Sequence, residues 1–158
     1  MSGEILESVP TADDAGRKAA MALLAQATTQ EMAQFWGQWA DKPQFETLRG
    51  PETGLVMVRG RIGGGGAPFN LGEATVTRAT IRLGNGAVGH AYALGRDGTK
   101  VRLAAVFDAL WQEPAHRQAV EDTVLAPIAH RLKDNLEHRR AETAATKVDF
   151  FTMVRGDD

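Results

Sequence analysis

The chain has no cysteine. That excludes disulfides, thiolate zinc sites, a cysteine nucleophile and any iron-sulfur cluster ligated by its own side chains. It also lacks any apolar run near the roughly 18 residues of a membrane helix, and its N-terminus lacks the basic-then-apolar layout of a signal peptide. Net charge is only -2 over 158 residues, so a generally basic nucleic-acid binder is not expected. The expectation that remains is a soluble cytoplasmic protein. With 43% hydrophobic and 24% charged residues, a chain of this length buries a core without disulfide or metal staples.

The charge present is unevenly placed. Residues 1–58 carry four basic and eight acidic side chains, residues 59–107 seven basic and two acidic, and residues 108–158 seven basic and ten acidic. The central segment, at +5, holds Arg59, Arg61, Arg78, Arg82, Arg96, Lys100 and Arg102. As a nucleic-acid track it is poor in stacking aromatics, with only Phe69 and Tyr92 before its helix begins.

Residues 1–10 have no period and read as a loose arm, leaving 11–158 as a single domain without internal repeats. A helix is expected over 13–27, with Ala20, Leu23, Leu24 and Ala27 on one face. Thr28 and Glu31 form a capping-box pattern that starts a second helix, burying Met32, Phe35 and Trp36 before Asp41, Lys42 and Pro43 end it. Candidate strands follow at 45–49 and 55–61, divided by the turn formers Gly50 to Gly54, and then at 74–83 and 87–94 around Gly84-Asn85-Gly86. In the first of the latter pair the apolar alternation changes phase near Arg78, which implies a bulge or a deliberately turned side chain. In the second, Val88, His90, Tyr92 and Leu94 share an apolar face, while Gly89, Ala91 and Ala93 make a flat one that something must approach closely. Leu103, Val106, Phe107, Leu110 and Trp111 mark a helix. Pro114 opens another, Pro127 restarts or kinks it, and Ile128, Leu132 and Leu136 carry the last. The tail from Val148 to Val154 reads as a final strand apolar on both faces, either interior to its own sheet or offered to another subunit. The expected class is α+β: an antiparallel sheet, an N-terminal helix pair, C-terminal helices and a final C-terminal strand.

Gly63 to Gly66 is a candidate phosphate cradle, since bare backbone lets amides converge on an anion. It lacks the Lys-Ser/Thr ending of a P-loop and no clear helix follows, so a flexible connector between strands is the simpler reading. The central arginines could converge on phosphate or phosphonate oxygens or be separately solvated. Arg78, set in an apolar strand, calls for a fixed partner such as Glu73, Asp97 or an anion. Asp97 reads as a helix cap. His90 reads as a satisfied core histidine, and the four histidines show no metal-ligand spacing.

Several blocks carry a family resemblance: Glu52-Thr53-Gly54-Leu55-Val56, Arg61-Ile62-Gly63-Gly64, Gly72 through Arg78, Gly95-Arg96-Asp97, and Val148 through Asp157. In this order and spacing, over about 44–157, the chain resembles the PhnG family, small subunits of the bacterial carbon-phosphorus lyase core complex. The resemblance implies a subunit of a synthase in which methylphosphonate displaces adenine from ATP to give alpha-D-ribose 1-methylphosphonate 5-triphosphate. It implies partners of the PhnI, PhnH, PhnJ and PhnL types, with nucleosidase chemistry on the PhnI-type subunit. The iron-sulfur cluster and S-adenosylmethionine would belong to the PhnJ-type partner, ATP would be a substrate of the complex, and this chain would bind no cofactor of its own. Self-association is expected of the isolated chain. Arg61, Gly63, Gly64, Arg78 and Arg96 are the candidates for anion or phosphate contacts, and Phe150, Phe151, Met153 and Arg155 for the partner interface. The alternative is a stand-alone phosphate- or nucleotide-binding enzyme using the Gly63–Gly66 loop and the central arginines.

Overall fold

A computed structural model describes residues 12–145. The expected N-terminal arm and final strand, and with them Phe150, Phe151, Met153 and Arg155, lie outside those residues. Helices α1 (Ala12–Gln26) and α2 (Thr29–Gln38) precede strands β1 (Phe45–Arg61), β2 (Pro68–Leu83) and β3 (Val88–Leu94). Helices α3 (Gly98–Gln112), α4 (Pro114–Val120) and α5 (Ala126–Ala145) follow, α4 and α5 joined through a π-helical turn at Glu121–Leu125. The sheet is antiparallel in the order β1-β2-β3.

Local chemistry sets the helix starts. The capping box forms as expected: the Glu31 amide donates to Thr28 Oγ1 at 3.1 Å, and the Thr28 amide to Glu31 Oε2 at 2.8 Å. Asp97 caps α3, accepting from the Lys100 amide at 2.9 Å. Pro114 stands at the first position of α4, where its missing N–H costs no hydrogen bond.

Helix α3 is the centre of the molecule. Its sequence predicts one apolar stripe, yet every residue from Leu103 to Trp111 is buried. The sheet covers one side and α1, α2 and α4 the others. Trp36 and Trp39 meet Phe107 edge to face, with centroids 6.2 and 5.5 Å apart. Ile81, Leu24, Met32, Val101 and Ile128 complete the core.

The sheet corrects two expectations. β3 faces the other way: Gly89, Ala91 and Ala93 are buried, and His90, Tyr92 and Leu94 lie exposed. The flat face is the core face because α3 lies directly against it. A Cβ built on Gly89 would stand 1.9 Å from the Ala105 carbonyl oxygen and 2.7 Å from the Ala109 amide nitrogen. His90 is therefore not a core histidine. Nor is the 50–54 segment a loop, since β1 runs through it, taking up the extra residues as register shifts between Thr47 and Arg49 and between Arg49 and Glu52. Pro51 is tolerated there because β1 is an edge strand.

No bulge in β2 accompanies the phase change near Arg78. Pairing of β2 with β3 is unbroken from Val76↔Leu94 to Arg82↔Val88, and the shift sits in β1 instead. Thr77 joins Ala79, Ile81 and Leu83 of β2 on the buried side, its hydroxyl donating to the Gly95 carbonyl at 2.7 Å and lying 2.9 Å from Thr53 Oγ1.

Candidate functional site

The helices cover one face of the sheet, and the other face carries the polar groups of β2 and β3. Arg78 projects from it and is held by Glu52, directly across on β1, with Nε and Nη2 at 3.1 and 3.0 Å from Oε2. Glu52 also meets Arg49 at 3.4 Å. Farther along, Arg82 pairs with Glu46 at 3.0 Å. The fixed partner expected for Arg78 exists, but it is Glu52, 26 residues away, rather than Glu73 or Asp97. Both members are about half exposed, so the pair orients more than it stabilises.

Next on this face His90 Nδ1 lies 3.1 Å from Thr80 Oγ1, with no carboxylate at the ring's other nitrogen among the described residues. A hydroxyl and an imidazole meet here without the third group that would orient the ring as a base. His130 and His138 do have carboxylates one helical turn on, Asp134 at 2.9 Å and Glu142 at 3.3 Å. These are exposed surface pairs on α5. Among the described residues no three His, Asp or Glu side chains gather as metal ligands.

The glycine run closes the β1–β2 hairpin. A 3₁₀ turn at Ile62–Gly64 places Gly63 at φ 59°, and the Gly66 amide donates to the Ile62 carbonyl at 3.0 Å. A Cβ on Gly66 would stand 2.7 Å from that same oxygen, so the tight closure needs glycine there. The turn leads from strand to strand and offers no helix N-terminus to an anion. Arg61 belongs to this tip and donates to the Gly66 carbonyl at 3.3 Å. It lies nine residues along β1 from Glu52, the partner of Arg78, a span of about 30 Å. The structure thus does not bring Arg61 and Arg78 together. Arg96 is exposed in the turn between β3 and α3, next to Gly95, whose amide donates to the Thr75 carbonyl at 2.9 Å.

Asp97 anchors that turn. The Lys100 amide and the Thr29 hydroxyl hold its carboxyl below the usual carboxylate range. The contact with Thr29 ties α2 to the start of α3. Glu31 is likewise held low: burial works to raise it, but the Arg131 guanidinium and Thr28 outweigh that effect.

One group was not singled out in the sequence. Asp108, fully buried in α3, accepts from Arg17 Nε at 3.0 Å and Nη2 at 2.7 Å, and from the His90 amide at 2.8 Å. It joins α1, α3 and β3 at one point, and its hydrogen bond raises the Arg17 guanidinium above its ordinary value. Away from the sheet, a cavity of about 320 Å³ lies between the end of α2 and α4, lined by Phe35, Trp39, Asp41, His116 and Thr123 among others. No helix among the described residues is long and apolar enough to cross a membrane.

Against known proteins, the model of the family described as phosphonate metabolism protein PhnG matches residues 15–156. The chain is 55% identical to the alpha-D-ribose 1-methylphosphonate 5-triphosphate synthase subunit PhnG of Rhizobium meliloti (strain 1021), over 98% of this chain and 100% of that relative.

Proposed function

The chain belongs to the PhnG family of phosphonate metabolism proteins, and from that premise we propose that it serves as an assembling subunit of the alpha-D-ribose 1-methylphosphonate 5-triphosphate synthase. The observation that carries this reading is 55% identity to a named synthase subunit over 98% of this chain and 100% of that relative. The reaction would be displacement of adenine from ATP by methylphosphonate. Such a displacement needs a site that holds a triphosphate and a phosphonate together and stabilises positive charge on the ribose. The sheet face offers arginines already engaged by glutamates, and an imidazole without an orienting carboxylate. Those groups suit a chain that positions a partner better than one that ionises a nucleophile.

In this reading a PhnI-type subunit carries the nucleosidase chemistry, PhnH-, PhnJ- and PhnL-type subunits complete the assembly, and the site of action is the cytoplasm. ATP is bound by the complex, and iron-sulfur and S-adenosylmethionine chemistry belongs to the PhnJ-type partner. Arg78 and Arg96 contact anions or fix an interface, and Arg61, Gly63 and Gly64 act from the hairpin tip. The test is adenine release from ATP plus methylphosphonate. The other synthase subunits are expected to release adenine only when this chain is added, and the chain alone to release none. Unchanged release without it would refute a required role in this step.

A further inference from the structure

The hairpin that the glycine turn closes extends well past the body of the sheet. Pairing with β3 ends at Val76↔Leu94, so from Leu55↔Thr75 out to Arg61↔Pro68 strands β1 and β2 pair only with each other, apart from the Gly95 amide on the Thr75 carbonyl. Seven residues of strand make an arm of about 23 Å. Six of the ten large exposed apolar side chains among the described residues lie on it: Leu55, Met57, Val58, Ile62, Phe69 and Leu71. Leu55 is 61% exposed, Leu71 66% and Ile62 76%.

Both faces are apolar. Leu55 and Met57 share one side with Thr75 and Glu73, and Val56 and Val58 share the other with Ala74 and Gly72. An isolated two-stranded ribbon is marginal in water, and this one has two apolar faces and two open edges. Ribbons of this kind are hazards unless another chain covers them.

Charge narrows what covers it. In the body of the sheet Arg49, Arg78 and Arg82 each hold a glutamate. On the arm Arg59, Arg61 and Glu73 have no ion-pair partner among the described residues, although the strand pairing places Arg59 and Arg61 on one face. Packing arm against arm in a second copy would bring together four arginines and two glutamates. A partner that supplies carboxylates leaves no such excess.

We propose that residues 55–75 form an insertion arm, seated in an apolar cleft of a different protein subunit whose carboxylates at the far end of the cleft, around the arm's tip, meet Arg59 and Arg61. This rests on the subunit reading above and assigns that subunit's grip to a defined element. The arm contributes no buried large side chain to the core, so its variants fold.

The test is co-purification of the full-length chain with the co-expressed synthase subunits, alongside thermal unfolding and light scattering of the chain alone. Leu55→Asp with Leu71→Asp, and separately Arg59→Glu with Arg61→Glu, are expected to keep the wild-type unfolding midpoint. Each should lower recovery of the complex by about tenfold or more. Leu136→Asp on α5, an exposed leucine off the arm, should assemble as wild type. Wild-type assembly of both arm variants would overturn the proposal while leaving the subunit reading intact. Failure of the wild-type chain to co-purify would instead overturn the subunit reading. Arm variants that turn a dimer of the isolated chain into a monomer, yet still assemble, would show that a second copy is the occupant and so refute the proposal.

Discussion

Replacing Gly89 by alanine adds one methyl group where β3 and α3 meet backbone to backbone. The new Cβ would lie 1.9 Å from the Ala105 oxygen, against ordinary contacts of 3.4–4 Å, and 2.9 Å from the Ala109 Cβ. The helix must retreat by about 1.5 Å, taking with it a stretch buried on every side. Overpacked cores cost about 1–3 kcal/mol when side chains can yield. Here the obstacle is backbone, so about 3 kcal/mol or more is expected, a fall in thermal midpoint of about 6–12 °C for a domain of this size. Gly54→Ala supplies the contrast, because nothing lies within 4 Å of its Cβ and its φ is not positive. That change should leave stability within about 1 kcal/mol of wild type, with a gain from the less flexible unfolded chain. Circular dichroism melts of both variants decide the matter. A Gly89→Ala protein within about 0.5 kcal/mol of wild type would refute the close approach of α3 to the sheet.

Asp108→Ala leaves the Arg17 guanidinium and the His90 amide unpaired, and should cost about 3 kcal/mol in urea denaturation. Adding Arg17→Met should recover part of that loss, and strict additivity of the two changes would contradict the pairing. Asp97 and Glu31 are held below the usual carboxylate range, so the stability they supply is present above their unfolded values, near pH 4, and is lost as pH falls through the folded ones. Glu31→Gln with Asp97→Asn should therefore flatten the acid limb of stability against pH, and an unchanged limb would refute the assignment. Arg78→Ala breaks an exposed pair and should cost less than about 1 kcal/mol. A loss of adenine release with the fold intact would then mark Arg78 as functional, and intact release would remove it from the site.

What could be read from the sequence was local. The capping box, the Asp97 cap and the Gly84-Asn85-Gly86 hairpin depend on residues within a few positions of one another, and all three form. The flatness of Gly89, Ala91 and Ala93 correctly announced a close neighbour. Its burial was missed because hydrophobicity favours the Tyr92 and Leu94 side, whereas a helix backbone prefers the side without bulk. Turn formers at 50–54 suggested a break that an edge strand absorbs as bulges. The candidate site was harder to read. Glu52 reaches Arg78 only through strand register, and Asp108 finds Arg17 across 91 residues. The glycine run suggested phosphate chemistry, and its place in the fold is the tip of a hairpin.

The proposed role makes this chain a stoichiometric part of the synthase. The most direct measurement is the adenine-release rate as the chain is titrated into a fixed amount of the other subunits. A rate that climbs and levels off when the chain matches its partners in amount is the predicted result. Full activity at a small fraction of that amount, or none of the rise depending on the chain, would contradict it.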